Sequence, residues 1–381
     1  MSSVTPKEPA KPQGGVLLSI QALRGLAVMA VVVIHIQLYF SNKLRMPDFL
    51  PQFNIGAASV DVFFVISGFI MVYASERLFG RPGGMRIYFL RRIARIVPMY
   101  WAATTILLVY VLVRYDNFGA VAGGAQADYV IAAYLFYPYV RPDGWGAPLL
   151  GVGWTLNYEV FFYTLFGFLI LLSRRTVVAI IAAIFCVLIA LRMVVPGIPN
   201  PFAYWFNPLI IEFVFGMGIA VAYREGIRLP MWLVSALVAA GLAVLGWSWS
   251  QAHFFDPPSW LRVPVWGLPA LAIVGGFALA ERRVPHNLFW RVSGFLGDAS
   301  YSIYLVHTLT LGVPVMIFSR WIAPAEAPWF YLACMLVVTT IPSFLVYLYV
   351  EKPLIDYFAR KIEGPRAPLQ AAAVATPATA P

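Results

Sequence analysis

The chain is short of charge, cysteine and histidine. Asp, Glu, Lys and Arg account for 12% of its 381 residues, about half the share usual in soluble domains, which excludes an ordinary soluble fold. Only two cysteines are present, Cys186 and Cys334, both in apolar stretches. They offer no disulfide framework and no cysteine-rich metal centre, and each reads as a small buried hydrophobe. Of the four histidines, His253 and His286 fall in predicted loops on opposite sides, so a multi-histidine metal site is not expected. A Walker loop, a dinucleotide fingerprint, an HExxH pair and a nucleophile elbow are also missing, which removes the chemistries those motifs serve.

What the chain has instead is apolar length. Hydrophobic residues make up 61% and recur in runs from Leu17 to Val350, forming one polytopic body and not an anchor on a soluble enzyme. The expected fold class is all-α, a polytopic membrane helical bundle of about ten transmembrane helices with both termini cytoplasmic. Apolar windows place the spans at 17–40, 55–75, 97–114, 152–172, 177–195, 205–223, 231–248, 263–280, 299–319 and 329–350. The segment 129–140 (YVIAAYLFYPYV) is too short and aromatic for an easy crossing and fits an interfacial or re-entrant element. An eleven-span count would need it to cross. Residues 1–16 form a polar cytoplasmic segment, 17–356 the membrane domain, and 357–381 a cytoplasmic tail whose Ala/Pro/Thr-rich end is expected to be disordered. No small-residue cleavage signature follows the first apolar run, so it is expected to stay as a span.

Charge gives an independent check on this topology. With the N-terminus inside, nineteen Lys and Arg residues fall in cytoplasmic segments and seven outside, leaving Arg24 within the first span. That asymmetry fits ten spans. The formal +10 charge thus reads as topology, and no nucleic-acid partner is expected. The two halves of the chain do not mirror one another, which argues against an inverted-repeat transporter without excluding it.

Ionisable groups at bilayer depth are expensive and are kept mainly where they carry a function. Arg24 and His35 are eleven residues apart in the first span, which brings them to within ~20° of one helical face and ~16 Å apart along the axis. Asp61, in GAASVDVFFVISGF, lies at a similar depth in the second span, so His35 and Asp61 read as a base and its orienter or as a buried pair that only joins two helices. Arg24 and His307 (DASYSIYLVHTL) both fall near the cytoplasmic ends of their spans. They read as lining the inner half of one cavity, with snorkelling as the alternative for Arg24 and a carbonyl bond for His307. Arg86, Arg91, Arg92 and Arg95 precede the third span, with Arg91 and Arg95 on one face and Pro98 near the helix start. They suit either a positive-inside anchor or a polyanionic ligand such as a nucleotide-bearing thioester donor. Glu159 is level with His35 and Asp61, and Trp154 and Tyr158 on the approach to it suit a sugar or a membrane belt. Glu212 is a second mid-span carboxylate, and Asp298 reads as a helix cap.

These pieces resemble the acyltransferase-3 family of integral membrane acyltransferases, which modify bacterial surface and exported glycans. The resemblance rests on IQALRGLAVMAVVVIHI, GAASVDVFFVISGFIM, RRIARIVPMYW, GWTLNYEVFFY, GDASYSIYLVHTL and a terminal YVEKPL, and it covers residues 19–356. It implies a ten-span body in the bacterial inner membrane that moves a short acyl group from cytoplasmic acyl-CoA to a hydroxyl at or beyond the membrane. Acetyl-CoA or another short acyl-CoA is the expected donor, acetyl being favoured because it is small and its CoA ester abundant, and no metal is expected. The acceptor is a polysaccharide, an oligosaccharide or a lipid-linked glycan, and membrane lipids and glycan-assembly proteins are further partners. The family pattern makes His35 catalytic with Arg24 beside it, associates Arg91, Arg92 and Arg95 with donor handling, and marks Glu159 and His307 as further candidates. The extra soluble domain fused to some relatives is not expected here.

The expected mechanism has His35 take the acceptor hydroxyl's proton during attack on the thioester, with Asp61 or Glu159 orienting the imidazole; transfer through an acyl group carried on His35 is the alternative. Arg24 and the Arg86–Arg95 cluster would hold donor phosphates. The rival expectation is a glycolipid or solute transporter whose buried ionisable residues couple to protons.

Overall fold

A computed structural model describes residues 17–47, 49–50, 55–114, 127–144, 146–250, 259–280 and 287–363. The N-terminal segment, the end of the tail, His253 and His286 lie outside the described residues. Every regular element described is helical, as expected where no water satisfies backbone groups. The longer helices are α1 (Leu18–Asn42), α2 (Ile55–Ala74), α3 (Gly84–Arg114), α4 (Ala127–Tyr134), α5 (Trp154–Leu169), α6 (Arg174–Val194), α7 (Ile211–Arg224), α8 (Met231–Ser250), α9 (Leu268–Leu279), α10 (Leu288–Asp298), α11 (Ser300–Thr310), α12 (Pro328–Val346) and α13 (Lys352–Glu363).

Each of the ten expected windows falls on a helix. Eight of the helices described are long and apolar enough to cross a membrane. The windows 152–172 and 205–223 are met by α5 and α7, of 16 and 14 residues. At 1.5 Å per residue these cover roughly 24 and 21 Å, less than a ~30 Å hydrocarbon core. Short 3₁₀ turns, Gly151–Gly153 and Pro208–Ile210, extend each at its start. The eight-residue α4 reaches only ~12 Å, too short to cross. The third helix starts thirteen residues before its expected window, at Gly84, so the arginine segment is part of the helix and Pro98 sits inside it. Continuity of the flanking turns absorbs a proline that normally costs a helix interior ~3 kcal/mol. Cys186 is exposed on the outer face of α6 and Cys334 is half-buried, which corrects the reading of both as buried.

Close backbone approach fixes two crossings that carry the site. A Cβ added at Gly297 would overlap the Gln21 carbonyl, and one at Gly25 the Ser293 carbonyl, so α1 and α10 pack backbone to backbone. The same holds for α2 and α7, where Gly68 faces the Phe213 carbonyl and Gly216 that of Val65. Small residues permit such contacts between membrane helices. Around them lies an aromatic core in which Phe64, Phe69, Phe162, Phe166 and Phe213 are fully buried, with Phe162 and Phe213 stacked at 4.4 Å. A second core of Val32, Ile36, Phe40, Tyr331 and Met335 joins α1 to α12.

Candidate active site

His35 and His307 meet. Their ring centroids are 4.8 Å apart with planes at 74°. The Arg24–Ser300 contact described below lies earlier on both helices, so α1 and α11 run in the same direction. His307 therefore belongs with His35 and not with Arg24 in an inner half-cavity, which corrects the expected placement. The reason is stagger: Arg24, the seventh residue of α1, meets Ser300, the first of α11, so equal counts from the two helix starts do not give equal depth. Each imidazole is anchored on its own helix, Nδ1 of His35 lying 2.8 Å from the Val31 carbonyl and that of His307 2.9 Å from the Ile303 carbonyl. A carbonyl only accepts, so each Nδ1 carries a proton, and in the neutral form of either imidazole Nε2 is the free base. Nε2 of His307 is buried and has no hydrogen-bond partner among the described residues.

Neither expected carboxylate orients His35. Asp61, fully buried, takes a two-pronged ion pair from Arg262, Nε to Oδ1 at 3.1 Å and Nη2 to Oδ2 at 2.9 Å. The guanidinium also lies over the Trp266 ring at 4.8 Å. Asp61 thus ties α2 to the turn leading into α9, and buried Glu212 completes that cluster against Gly267. Glu159 instead accepts from Ser67 Oγ at 2.7 Å and from Tyr163 Oη at 3.0 Å.

Glu159 faces a cavity of about 800 Å³, counting its open mouth. Three guanidinium-bearing residues, Arg24, Arg92 and Arg95, line it together with Ser67, Tyr163 and Tyr304. Arg24 is almost fully buried. Its Nη1 donates to Gln21 Oε1 at 2.8 Å and its Nη2 to Ser300 Oγ at 2.7 Å. Gln21 donates in turn to Asp298, so Asp298 supports α1 through that amide and does not cap α11, whose cap residue is Ala299. On α3 the cavity-facing pair is Arg92 and Arg95, not Arg91 and Arg95, and Arg86 is exposed outside the cavity.

His35 and His307 are not among the cavity's lining residues. Tyr304 stands at the boundary: it lines the cavity, its ring is 6.1 Å from that of His307, and its hydroxyl lies 2.8 Å from both the Val152 carbonyl and Thr155 Oγ1. Phe63 lies across from it at 6.4 Å. Trp154 and Tyr158 do not form an open sugar platform. Tyr158 is buried and stacks on Tyr204 at 4.4 Å, and the Tyr204 hydroxyl donates to the Trp154 carbonyl.

A family model described as an acyltransferase domain matches residues 17–348. The chain belongs to the acyltransferase-3 family. It is 34% identical over 271 residues to the exopolysaccharide production protein ExoZ of Rhizobium meliloti (strain 1021), covering 69% of this chain and 78% of that one. Acyltransferase MdmB of Streptomyces mycarofaciens is 26% identical over 378 residues, with coverage of 91% and 93%. Peptidoglycan O-acetyltransferase OatA of Listeria monocytogenes serovar 1/2a (strain ATCC BAA-679 / EGD-e) is 22% identical over 329 residues, 78% of this chain and 50% of that protein. No solved structure matches. This acyltransferase is therefore an all-α, multi-pass membrane protein.

Several residues of the candidate site and its surroundings carry little sequence signal. Tyr163 is four residues after Glu159 and so shares its helical face, but nothing local ties Ser67 or Tyr304 to either. Arg262 is distributed by charge counting to a span end, and its pairing with Asp61 depends on a contact between residues 201 positions apart.

Proposed function

We propose that the protein transfers a short acyl group, acetyl in the first instance, from cytoplasmic acyl-CoA to a hydroxyl of an exported or surface carbohydrate. The reading is carried by one observation: a cavity inside the bundle lined by Arg24, Arg92 and Arg95 with Glu159 as the one carboxylate among the described lining residues. Such an excess of fixed cations inside a membrane protein calls for a polyanion. Guanidinium groups grip phosphates in a planar, two-pronged manner that ammonium groups do not match. The names of the relatives favour transfer over transport.

In this reading the donor's phosphates rest on Arg24, Arg92 and Arg95, and the acyl arm runs along the cavity toward Tyr304. His35 Nε2, unprotonated because Nδ1 carries the proton, accepts the acceptor hydroxyl's proton as that oxygen attacks the thioester carbonyl. The carbon–sulfur bond then breaks, and the thiolate leaves with a proton. Val31's carbonyl, and not a carboxylate, holds the imidazole in the required tautomer. Access to His35 needs the Tyr304 ring to turn away from Thr155 and Val152. Trp154 and Tyr158 support the outer wall instead of touching the sugar. The N-terminal segment and the tail face the cytoplasm, and the membrane is the bacterial inner membrane.

The test is His35→Ala in reconstituted protein supplied with labelled acetyl-CoA and candidate glycans. A folded variant should lose about 10²- to 10⁴-fold in transfer. Wild-type turnover in that variant would reject the role of His35.

A further inference from the structure

A second cavity, of about 550 Å³ counting its open mouth, is lined by Gln21, Arg24, Arg95, Asp298, Tyr347, Glu351, Lys352, Ile355 and Asp356. Arg24 and Arg95 line both cavities. These two arginines therefore stand where the two spaces adjoin. The second cavity opens where the first turn of α1 faces the start of α13, at the end of the bundle away from His35.

The charges of the two spaces differ. Three arginines face Glu159 in the first. In the second, Arg24, Arg95 and Lys352 are balanced by Asp298, Glu351 and Asp356. Two of those acids are engaged, Asp298 by Gln21 and Glu351 by the backbone N–H and the hydroxyl of Ser302. A balanced space has no excess charge to call for a polyanion, and its exposed cation, Lys352, can answer a single phosphate at the edge. It suits an uncharged ring with hydroxyl and amino groups, for which the half-buried Tyr347 supplies a stacking face and the exposed Asp356 an acceptor.

We propose that the second cavity is the subsite for the nucleoside end of the acyl donor, with the donor's diphosphate held between the two cavities by Arg24 and Arg95. This rests on the reading of acyl-CoA as donor. The bipartite shape matches a bipartite ligand: the acyl-pantetheine arm fills the first cavity, the adenosine lies between Tyr347 and Ile355, and Lys352 at the lip meets the ribose phosphate. The C-terminal helix then belongs to the binding machinery and serves as the wall that reads the nucleotide.

The experiment compares two donors on the full chain in vesicles, acetyl-CoA and S-acetyl-pantetheine, which lacks the nucleotide. Wild-type protein should prefer acetyl-CoA in kcat/KM. Ile355→Trp, which fills the subsite, and Tyr347→Leu, which removes the stacking face, should each cut that preference about tenfold or more. As a measurement free of any variant, adenosine 3′,5′-bisphosphate should compete with acetyl-CoA on wild-type protein. An unchanged donor preference, loss of turnover with both donors in equal measure, or no competition by the bisphosphate overturns the subsite. Wild-type protein that transfers acetyl from neither donor sinks the donor assignment itself, whereas transfer with an unchanged ratio sinks the subsite alone.

Discussion

Asp61 offers the sharpest division between a catalytic and a structural reading, because the two predict opposite results for a paired substitution. Asp61→Asn keeps the side-chain shape but strips the charge that answers Arg262. Both residues are buried, Arg262 being 6% exposed and Asp61 fully enclosed, and two nitrogen–oxygen contacts of 2.9 and 3.1 Å are at stake. Removing one member of a buried pair costs about 3–5 kcal/mol, because the other charge is left unanswered. Against a total stability of about 5–15 kcal/mol, that is a large fraction. Arg262→Met alone should be at least as damaging, since it leaves Asp61 beside Glu212 with no cation and forfeits the contact over Trp266. The double variant Asp61→Leu with Arg262→Met removes both charges, and such replacements are often neutral or stabilising. Thermal unfolding in detergent, followed by size-exclusion chromatography, should therefore show two damaged single variants and a largely recovered double variant. Acyl transfer per folded molecule in the double variant should stay within a few-fold of wild type. A double variant that is stable yet inactive would refute the structural assignment and return Asp61 to the catalytic machinery.

Arg24→Lys retains the charge but loses the fork that reaches Gln21 and Ser300 while facing both cavities; with one or two charge-assisted bonds of about 1.5–3 kcal/mol lost, KM for the acyl donor should rise about 10- to 100-fold. Steady-state kinetics on reconstituted protein would show it, and an unchanged KM would remove Arg24 from the donor site. Gly297→Leu places a side chain where the Gln21 backbone runs, so α10 must move away from α1, and overpacking of this kind costs about 1–3 kcal/mol or more. A fall in melting temperature should accompany a raised donor KM, because Gln21 and Asp298 ride on the two helices. Normal melting and normal KM would mean that the crossing is looser than described.

The polytopic helical fold was readable because hydrocarbon demands a simple pattern, apolar residues in runs of sufficient length. Where the pattern misled, a neighbour had intervened. The arginine segment before the third span reads as a flank because of its charge, yet it continues the helix from Gly84 because Arg92 and Arg95 find a polar cavity. Arg24 and His35 were legible as a stripe, since both lie on one helix. Partners on different helices were not. Asp61 was matched to His35 by depth alone, and depth carries no information about rotation around the helix axis, which is what turns the carboxylate toward Arg262. The expected place of His307 fails for a related reason: counting residues from span ends assumes that the spans start level, whereas Arg24, the seventh residue of α1, meets Ser300, the first of α11. Trp154 and Tyr158 show the ordinary ambiguity of aromatics, whose stacking partner Tyr204 lies in a short turn without periodic signal.

Tyr304 has a consequence for the cell as well as for the reaction. A membrane that stores energy as a voltage sets about 2.3 kcal/mol per unit charge for every 100 mV, and a wet corridor of arginines running through it would discharge that store. With its hydroxyl braced on Thr155 and Val152, the Tyr304 ring stands between the guanidinium-lined chamber and the histidine pair; under the proposed function, a ring so placed would keep donor and acceptor sides from joining into one charged path across the membrane.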